Sequence, residues 1–252
     1  MPINEDHNRT RYLELLKSIL INSIYLEYDQ PQLVVDPAEA AAQRRHLGRD
    51  WPTMALSMIG QVRLDNLQYC IEDILARNVP GDLMETGIWR GGGVILMRAV
   101  LQAYEVTDRV VWAADSFCGL PPPNVEKFPA DEGDPHHTFD YLRVPLETVK
   151  ANFRKFGLLD DQVRFIQGFF SESLPNAPVE KLALLRLDGD MYEATYVALE
   201  NLYSKLSTGG IVILDDYGVL PRSAKAVDDY RFANDIQQPM VEIDWSGRFW
   251  IK

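Results

Sequence analysis

From Gly81 onward the sequence alternates short apolar runs with amphipathic segments, and that alternation constrains the fold more than any other feature. The runs are DLMETGI, RVVWAADSF, QVRFIQGFF, LALLRLDGD and GGIVILDDYG. Each is nearly continuous in apolar character, as parallel strands buried on both faces tend to be. Between them lie VILMRAVLQAY, LETVKANFRKFG and ATYVALENLYSKLS, which carry helical periodicity. The last ends in STGG, a helix stop ahead of a strand. The pattern predicts an open α/β sheet with helices on both faces. The closing segment MVEIDWSGRFWIK reads as a hairpin around Trp245-Ser246-Gly247, hence an antiparallel edge.

Residues 1–80 read as helical throughout. In TRYLELLKSILINSIYLEY the positions Leu13, Leu15, Leu16, Ile19, Leu20 and Ile24 form one apolar stripe. Asp36-Pro37 offers a cap and a first helical position for DPAEAAAQRRHLG. A third helix runs through MIGQVRLDNLQYCIEDILARN, with Met58, Val62, Leu67, Ile71 and Leu75 on one face. We therefore expect an N-terminal helical segment over 1–80, acting as a cap and building an oligomer interface, followed by an α/β domain over 81–252. A chain of 252 residues has room for one such core plus a cap.

Composition excludes several classes. With 25 Lys+Arg against 37 Asp+Glu the net charge is −12, which repels a phosphate backbone and argues against nucleic acid. No run approaches the ~18 uncharged apolar residues of a membrane span. The opening MPINEDHNRTR is polar and acidic, unlike a signal peptide. Two cysteines, Cys70 and Cys118, make neither a disulfide framework nor a zinc site, so a reducing cytoplasmic location is expected. Between Phe117 and Leu146 runs a segment with six prolines and little periodicity. Leaving the carboxyl end of the second strand, where ligands bind in such sheets, it reads as a lid over 117–146. Its His136 and His137 read first as ordinary loop histidines, with a substrate role as the alternative.

The first strand ends Glu85-Thr86-Gly87-Ile88-Trp89-Arg90-Gly91-Gly92-Gly93. Trp89 stands where the dinucleotide fingerprint needs glycine, which counts against a nicotinamide or flavin enzyme. The remaining acid-x-Gly-x-x-x-Gly resembles the cofactor loop of S-adenosylmethionine-dependent O-methyltransferases; the plainer alternative is a turn with Glu85 salt-bridged. Asp115, in Ala114-Asp115-Ser116, is placed to accept hydrogen bonds from ribose hydroxyls or to cap the next stretch of chain. Gln167-Gly168-Phe169-Phe170 offers a turn and aromatics that could cover an adenine. The next two runs end in Asp188 and Asp190, and in Asp215 and Asp216. Adjacent parallel strands bring these four acids to one edge, where mutual repulsion points to a divalent cation such as Mg²⁺; the plainer alternative is that one pair caps helices while the other faces solvent.

Together, ETGIWRGG, ADSF, RLDGD and ILDDY resemble the macrocin O-methyltransferase family, which methylates sugar hydroxyls in natural-product biosynthesis. The resemblance extends to YLELLKSILINSIY and to the segment from Pro52 to Gly60. It implies a Rossmann-like class I methyltransferase fold, with a mostly parallel seven-stranded sheet and an antiparallel C-terminal hairpin. It implies Asp188, Asp215 and Asp216 as Mg²⁺ ligands and Asp190 as the base. Glu85, Gly87, Gly91, Asp115, Ser116, Gly168, Phe169 and Asp188 are carried over as cofactor-binding, with Thr53 and Met58 in the segment that closes over the cofactor. The expected reaction moves a methyl from S-adenosylmethionine to a hydroxyl of a glycosylated small molecule, leaving S-adenosylhomocysteine. The expected assembly is a homo-oligomer, a dimer or tetramer. The competing readings are a phenol or catechol acceptor and a non-catalytic nucleoside-binding subunit.

Overall fold

A computed structural model describes residues 5–252; the start of the N-terminal segment, 1–4, lies outside the described residues. Seven strands form one sheet: β1 Asp82–Thr86, β2 Val111–Asp115, β3 Val163–Gln167, β4 Leu182–Leu187, β5 Leu206–Leu214, β6 Val241–Glu242 and β7 Arg248–Ile251. Their order is β3-β2-β1-β4-β5-β7-β6. The first five are parallel, whereas β7 runs antiparallel to β5 and β6 to β7. The hairpin turn is set by Asp244, whose Oδ1 accepts from Ser246 N at 2.9 Å and Gly247 N at 2.7 Å.

Eight α-helices accompany the sheet among the described residues: α1 Glu5–Leu20, α2 Ala41–Leu47, α3 Gly60–Ala76, α4 Gly92–Ala103, α5 Leu146–Lys155, α6 Phe170–Ser173, α7 Tyr192–Leu202 and α8 Pro221–Ala233. One face packs α1, α3, α4 and α5 against the strands through Leu13, Leu16, Leu20, Leu64, Leu67, Ile71, Val100 and Phe153. The other packs α7 and α8 through Leu199, Leu202, Val227 and Tyr230 onto Leu185, Val212 and Trp250. Alternation along each strand divides the side chains, so Leu83 faces the first core and Met84 the second.

Several local expectations shift. The stripe on α1 divides: Leu13, Leu16 and Leu20 are buried, whereas Leu15 and Ile19 face solvent. The helix stops at Leu20, whose carbonyl accepts from Leu56 N and Ser57 N at 2.8 and 3.0 Å, so Ile24 lies beyond it. Asp36-Pro37 opens a turn instead of a helix. Asp36 Oδ1 takes Ala38 N at 2.9 Å, and α2 begins only at Ala41. Met58 precedes α3, whose buried face centres on Leu64, Leu67, Ile71 and Ile74. The STGG segment lies inside β5; Gly209 adopts φ +81° where the register with β4 shifts. A glycine that ends helices in isolation here serves a strand irregularity.

Candidate active site

The carboxyl ends of β1, β2, β4 and β5 open on one cavity. Met58, Glu85, Gly87, Asp115, Ser116, Phe169, Asp188, Asp190, Asp215 and Asp216 line it. Thr53, Gly91 and Gly168, also singled out by the sequence, do not. Thr53 instead donates its N–H and hydroxyl to Asp29 Oδ1 at 2.8 and 2.6 Å, fixing the segment before α3. Gly91 faces Val149 and Phe153, and Gly168 turns the chain at φ +139° after β3.

The loop after β1 is tied down on all sides. Trp89, at φ +47°, donates its indole N–H to the Tyr141 carbonyl at 3.0 Å. Arg90 lies over the Trp89 ring and donates to the carbonyls of Thr53 at 2.7 Å and Ala55 at 2.9 Å. Asp115 holds the loop from the next strand: Oδ2 accepts from Ile88 N at 2.9 Å and Oδ1 from Phe117 N at 2.8 Å. Burial pushes its carboxyl up, and these N–H groups work against that shift. Each oxygen keeps a lone pair for a ligand, so capping and ribose binding are compatible. Ser116 is engaged locally, donating to the Gly119 carbonyl at 2.6 Å and accepting from Cys118 N at 3.0 Å.

Arg186 is the residue the sequence reading passed over. Its fully buried guanidinium reaches Glu85 Oε1 and Asp188 Oδ2 through one nitrogen and Asp215 Oδ1 through the other; the Asp188 contact is 3.0 Å. Burial acts to lower its pKa, and the carboxylates of Asp215, Glu85 and Asp188 outweigh it and raise it. Arg63 from α3 takes the other Asp215 oxygen and reaches Asp244 at 3.2 Å. The one available signal was a lone charge inside the otherwise apolar strand LALLRL. Two arginines therefore neutralise part of the acid cluster, an outcome not foreseen from strand ends alone.

The remaining negative charge is still large. Asp188, Asp215 and Asp216 offer oxygens that all lie within 4.8 Å of one another, a set suited to a hard divalent cation. Burial and neighbouring carboxylates push Asp188 and Asp216 well above the usual carboxylate range, as expected of anions gathered before a cation compensates them. Glu85 Oε2 is buried and has no hydrogen-bond partner among the described residues. It lies against Gly93, where a Cβ would come 2.5 Å from it. Such an orphaned acceptor beside a glycine loop suits the ammonium end of an amino-acid-bearing cofactor.

Asp190 is separated from Asp188 by backbone conformation. The chain turns at Asp190 itself, which adopts φ +58°. Gly189 serves close packing: a Cβ there would lie 2.9 Å from Ala194 Cβ at the start of α7. Asp190 N donates to Asp216 Oδ2 at 3.1 Å. Burial pushes the Asp190 carboxyl up, and the imidazole of His136 is the foremost influence in the other direction.

The segment after β2 covers this cavity. Tyr141 stacks on Trp51 with ring centroids 5.4 Å apart and donates its hydroxyl to the Pro52 carbonyl. Asp131 accepts from Tyr192 N at 2.7 Å and Glu193 N at 2.9 Å, capping α7. Asp134 pairs with His136 and with Arg222 of α8.

This strand order, with a glycine turn after β1, an acid ending β2 and an antiparallel final pair, defines a class I methyltransferase. Comparison with known proteins narrows the class. The profile of the Macrocin-O-methyltransferase (TylF) family matches residues 9–252, and the chain belongs to that family. It is an S-adenosylmethionine-dependent O-methyltransferase. It is 52% identical over 243 residues to the 8-demethyl-8-(2,3-dimethoxy-α-L-rhamnosyl)-tetracenomycin-C 4'-O-methyltransferase of Streptomyces olivaceus, covering 96% of this chain and 92% of that protein. It is 46% identical to the mycinamicin III 3''-O-methyltransferase of Micromonospora griseorubida, covering 95% of each. The solved structure of the O-methyltransferase NovP superposes with a TM-score of 0.91 at 44% identity, covering 97% of this chain and 99% of that one. Among the described residues no helix is long and apolar enough to cross a membrane.

Proposed function

We propose that this enzyme methylates a hydroxyl of a deoxysugar already attached to a natural product, with Mg²⁺ bound at the acid cluster. The observation that carries the reading is the convergence of Asp188, Asp215 and Asp216 beside the separately oriented Asp190. The substrates named for the relatives above, a rhamnosyl tetracenomycin and mycinamicin III, support the acceptor class.

When bound, S-adenosylmethionine supplies an electrophilic methyl group and Mg²⁺ supplies charge that acidifies an alcohol. Glu85 and the glycine loop from Gly87 hold the methionine end, Asp115 accepts from the ribose hydroxyls, and Phe169 flanks the base. Ser116, Gly91 and Gly168 shape the backbone around them, while Thr53 and Met58 belong to the segment that closes the cavity. Asp188, Asp215 and Asp216 hold the cation, and Asp190 takes the proton of the attacking hydroxyl. The covering segment over 117–146 excludes water and seats the acceptor.

Two further features belong to the reading. Exposed Tyr12, Leu15, Ile19 and Tyr69 on α1 and α3 support self-association of the N-terminal segment into a dimer or tetramer. Free Cys70 and Cys118 fit a reducing cytoplasm. The test is incubation with S-adenosylmethionine and a panel of macrolide glycosides, tetracenomycin glycosides and catechols, with and without EDTA. Mg²⁺-dependent methylation of a glycoside is expected. Turnover of the catechols alone, or turnover unaffected by EDTA, would overturn the acceptor or the metal assignment respectively.

A further inference from the structure

Two helices start close behind the acid cluster. α7 opens at Tyr192, directly after the Asp188-Gly189-Asp190 turn, and α8 opens at Pro221, shortly after Asp216. The free N–H groups of a helix start need acceptors, usually from the side chain just before it. Met191 stands at that place for α7 and Leu220 for α8, and neither side chain caps.

One turn of the segment after β2 secures both starts instead. Asp131, fully buried, accepts from Tyr192 N at 2.7 Å and Glu193 N at 2.9 Å, which also sets a negative charge at the positive end of α7. The carbonyl of Asp131 accepts from Asp134 N at 3.1 Å. Asp134 is buried too, and its Oδ2 pairs with Arg222 in the first turn of α8. On the cavity side the two strand ends meet directly, Asp190 N donating to Asp216 Oδ2 at 3.1 Å. The Asp216 carbonyl accepts from Val219 N at 3.1 Å and Leu220 N at 2.9 Å, leading the chain into α8. A closed ring results. It runs from Asp131 through the start of α7 to Asp190 and Asp216, then through the start of α8 and Arg222 back to Asp134. Asp131 and Asp134 do not themselves line the cavity.

We propose that Asp131, Asp134 and Arg222 are positioning residues for the cation site. This rests on the proposed binding of Mg²⁺ by Asp188, Asp215 and Asp216. The closed ring fixes the end of β4 against the end of β5, so their carboxylates are gathered before a cation arrives. Once the ring is opened, each helix start can shift, and the cost of ordering both strand ends falls on cation binding. The coupling is reciprocal: a cation that favours the gathered arrangement also tightens the turn that supports it.

Mg²⁺ binding to the purified protein, read by calorimetry, tests this without any acceptor. Asp131→Ala and Asp134→Ala should each weaken binding by roughly 10–100-fold, the range for residues that orient metal ligands. Arg222→Gln separates placement from charge. Removing a cation near the acid cluster would tighten Mg²⁺ binding by electrostatics alone, whereas opening the ring should weaken it by about fivefold or more. Ile74→Val, a core truncation in α3 away from the cavity, should leave binding unchanged. In the parent, Mg²⁺ should slow hydrogen exchange at the Tyr192 and Glu193 amides by about fivefold or more, a reading that needs no variant to fold. Unchanged or tighter binding in Arg222→Gln, an equal loss in Ile74→Val, or amide exchange indifferent to Mg²⁺ overturns the proposal. A parent that binds no Mg²⁺ sinks the metal assignment of the proposed function and this inference with it. A parent that binds Mg²⁺, with ring variants that bind it equally well, sinks this inference alone.

Discussion

Gly87 and Asp188 meet backbone to backbone: a Cβ on Gly87 would fall 1.6 Å from the Asp188 carbonyl oxygen. Gly87 also adopts φ +80°, so two requirements coincide at one residue. The crossing locks the loop after β1 to the strand end that carries the acid cluster. Gly87→Ala should cost more than about 2 kcal/mol, combining left-handed strain with a backbone clash. Urea denaturation of the purified variant measures it, and a loss below about 0.5 kcal/mol, the scale of an ordinary surface change, would mean that the crossing relaxes freely.

Arg186 bridges Glu85, Asp188 and Asp215 in the interior. Arg186→Met removes the shared cation and leaves the carboxylates uncompensated, at a cost of roughly 3–5 kcal/mol. By contrast, Lys225→Ala breaks an exposed i,i+4 pair with Asp229 and should cost on the order of 0.5 kcal/mol or less. Thermal unfolding of both variants in EDTA compares them; equal losses would show that the buried bridge adds nothing.

The two acids of the Asp188-Gly189-Asp190 turn should separate kinetically. Asp188→Asn should weaken Mg²⁺ binding, with activity partly recovered at raised Mg²⁺. Asp190→Asn should keep cofactor and metal affinity and lose turnover by ~10²–10⁴-fold, the range for a positioned base. Metal titration of activity decides between them. Recovery of Asp190→Asn by Mg²⁺ would remove its assignment as base.

Asp115→Ala should weaken S-adenosylmethionine binding by about 1.5–3 kcal/mol, the value of a hydrogen bond to a charged group. It should also loosen the loop, because Ile88 N and Phe117 N lose their acceptor. Calorimetry reads the first effect and hydrogen exchange at these two amides the second. Unchanged affinity would take Asp115 out of the binding site.

Stability without metal should fall as pH rises. Asp188 and Asp216 have folded-state pKa values raised well above 3.8 by burial and mutual repulsion, so the native state binds more protons than the unfolded state over the interval between the two values. Their stabilising protonation is present below the unfolded value and is lost as pH climbs through the folded ones. Melting temperatures in EDTA should therefore drop across this interval, and Mg²⁺ should flatten the decline by neutralising the same carboxylates. Identical curves with and without Mg²⁺ would argue against a cation at this cluster.

The sheet was legible because its central strands β1 and β4 are buried on both faces and their apolar runs stand out against helical periodicity. The acids at strand ends were legible for the same reason: a strand that is located fixes where its end points. Leu15 and Ile19 misled because periodicity defines a stripe without saying how much of it a neighbour will cover. Arg186 was hard to read because two of its partners, Glu85 and Asp215, come from the ends of other strands. Asp134 and Arg222, 88 positions apart, are joined across a segment with no periodicity to read.

Asp131 supplies the cap of α7 from sixty-one positions upstream, at the middle of the segment that covers the cavity. That segment is consequently hung from its centre, and swinging it away as one flap would strip the helix just beyond Asp190 of its cap. The stretch toward α5 is pinned as well, by Asp134 to Arg222 and by Tyr141 to the Pro52 carbonyl. Gly119, Leu120 and Pro121 border the cavity on one flank, and His136 and Leu142 border it on the other. The cover is therefore a wall nailed at several posts and not a door hung on a single hinge.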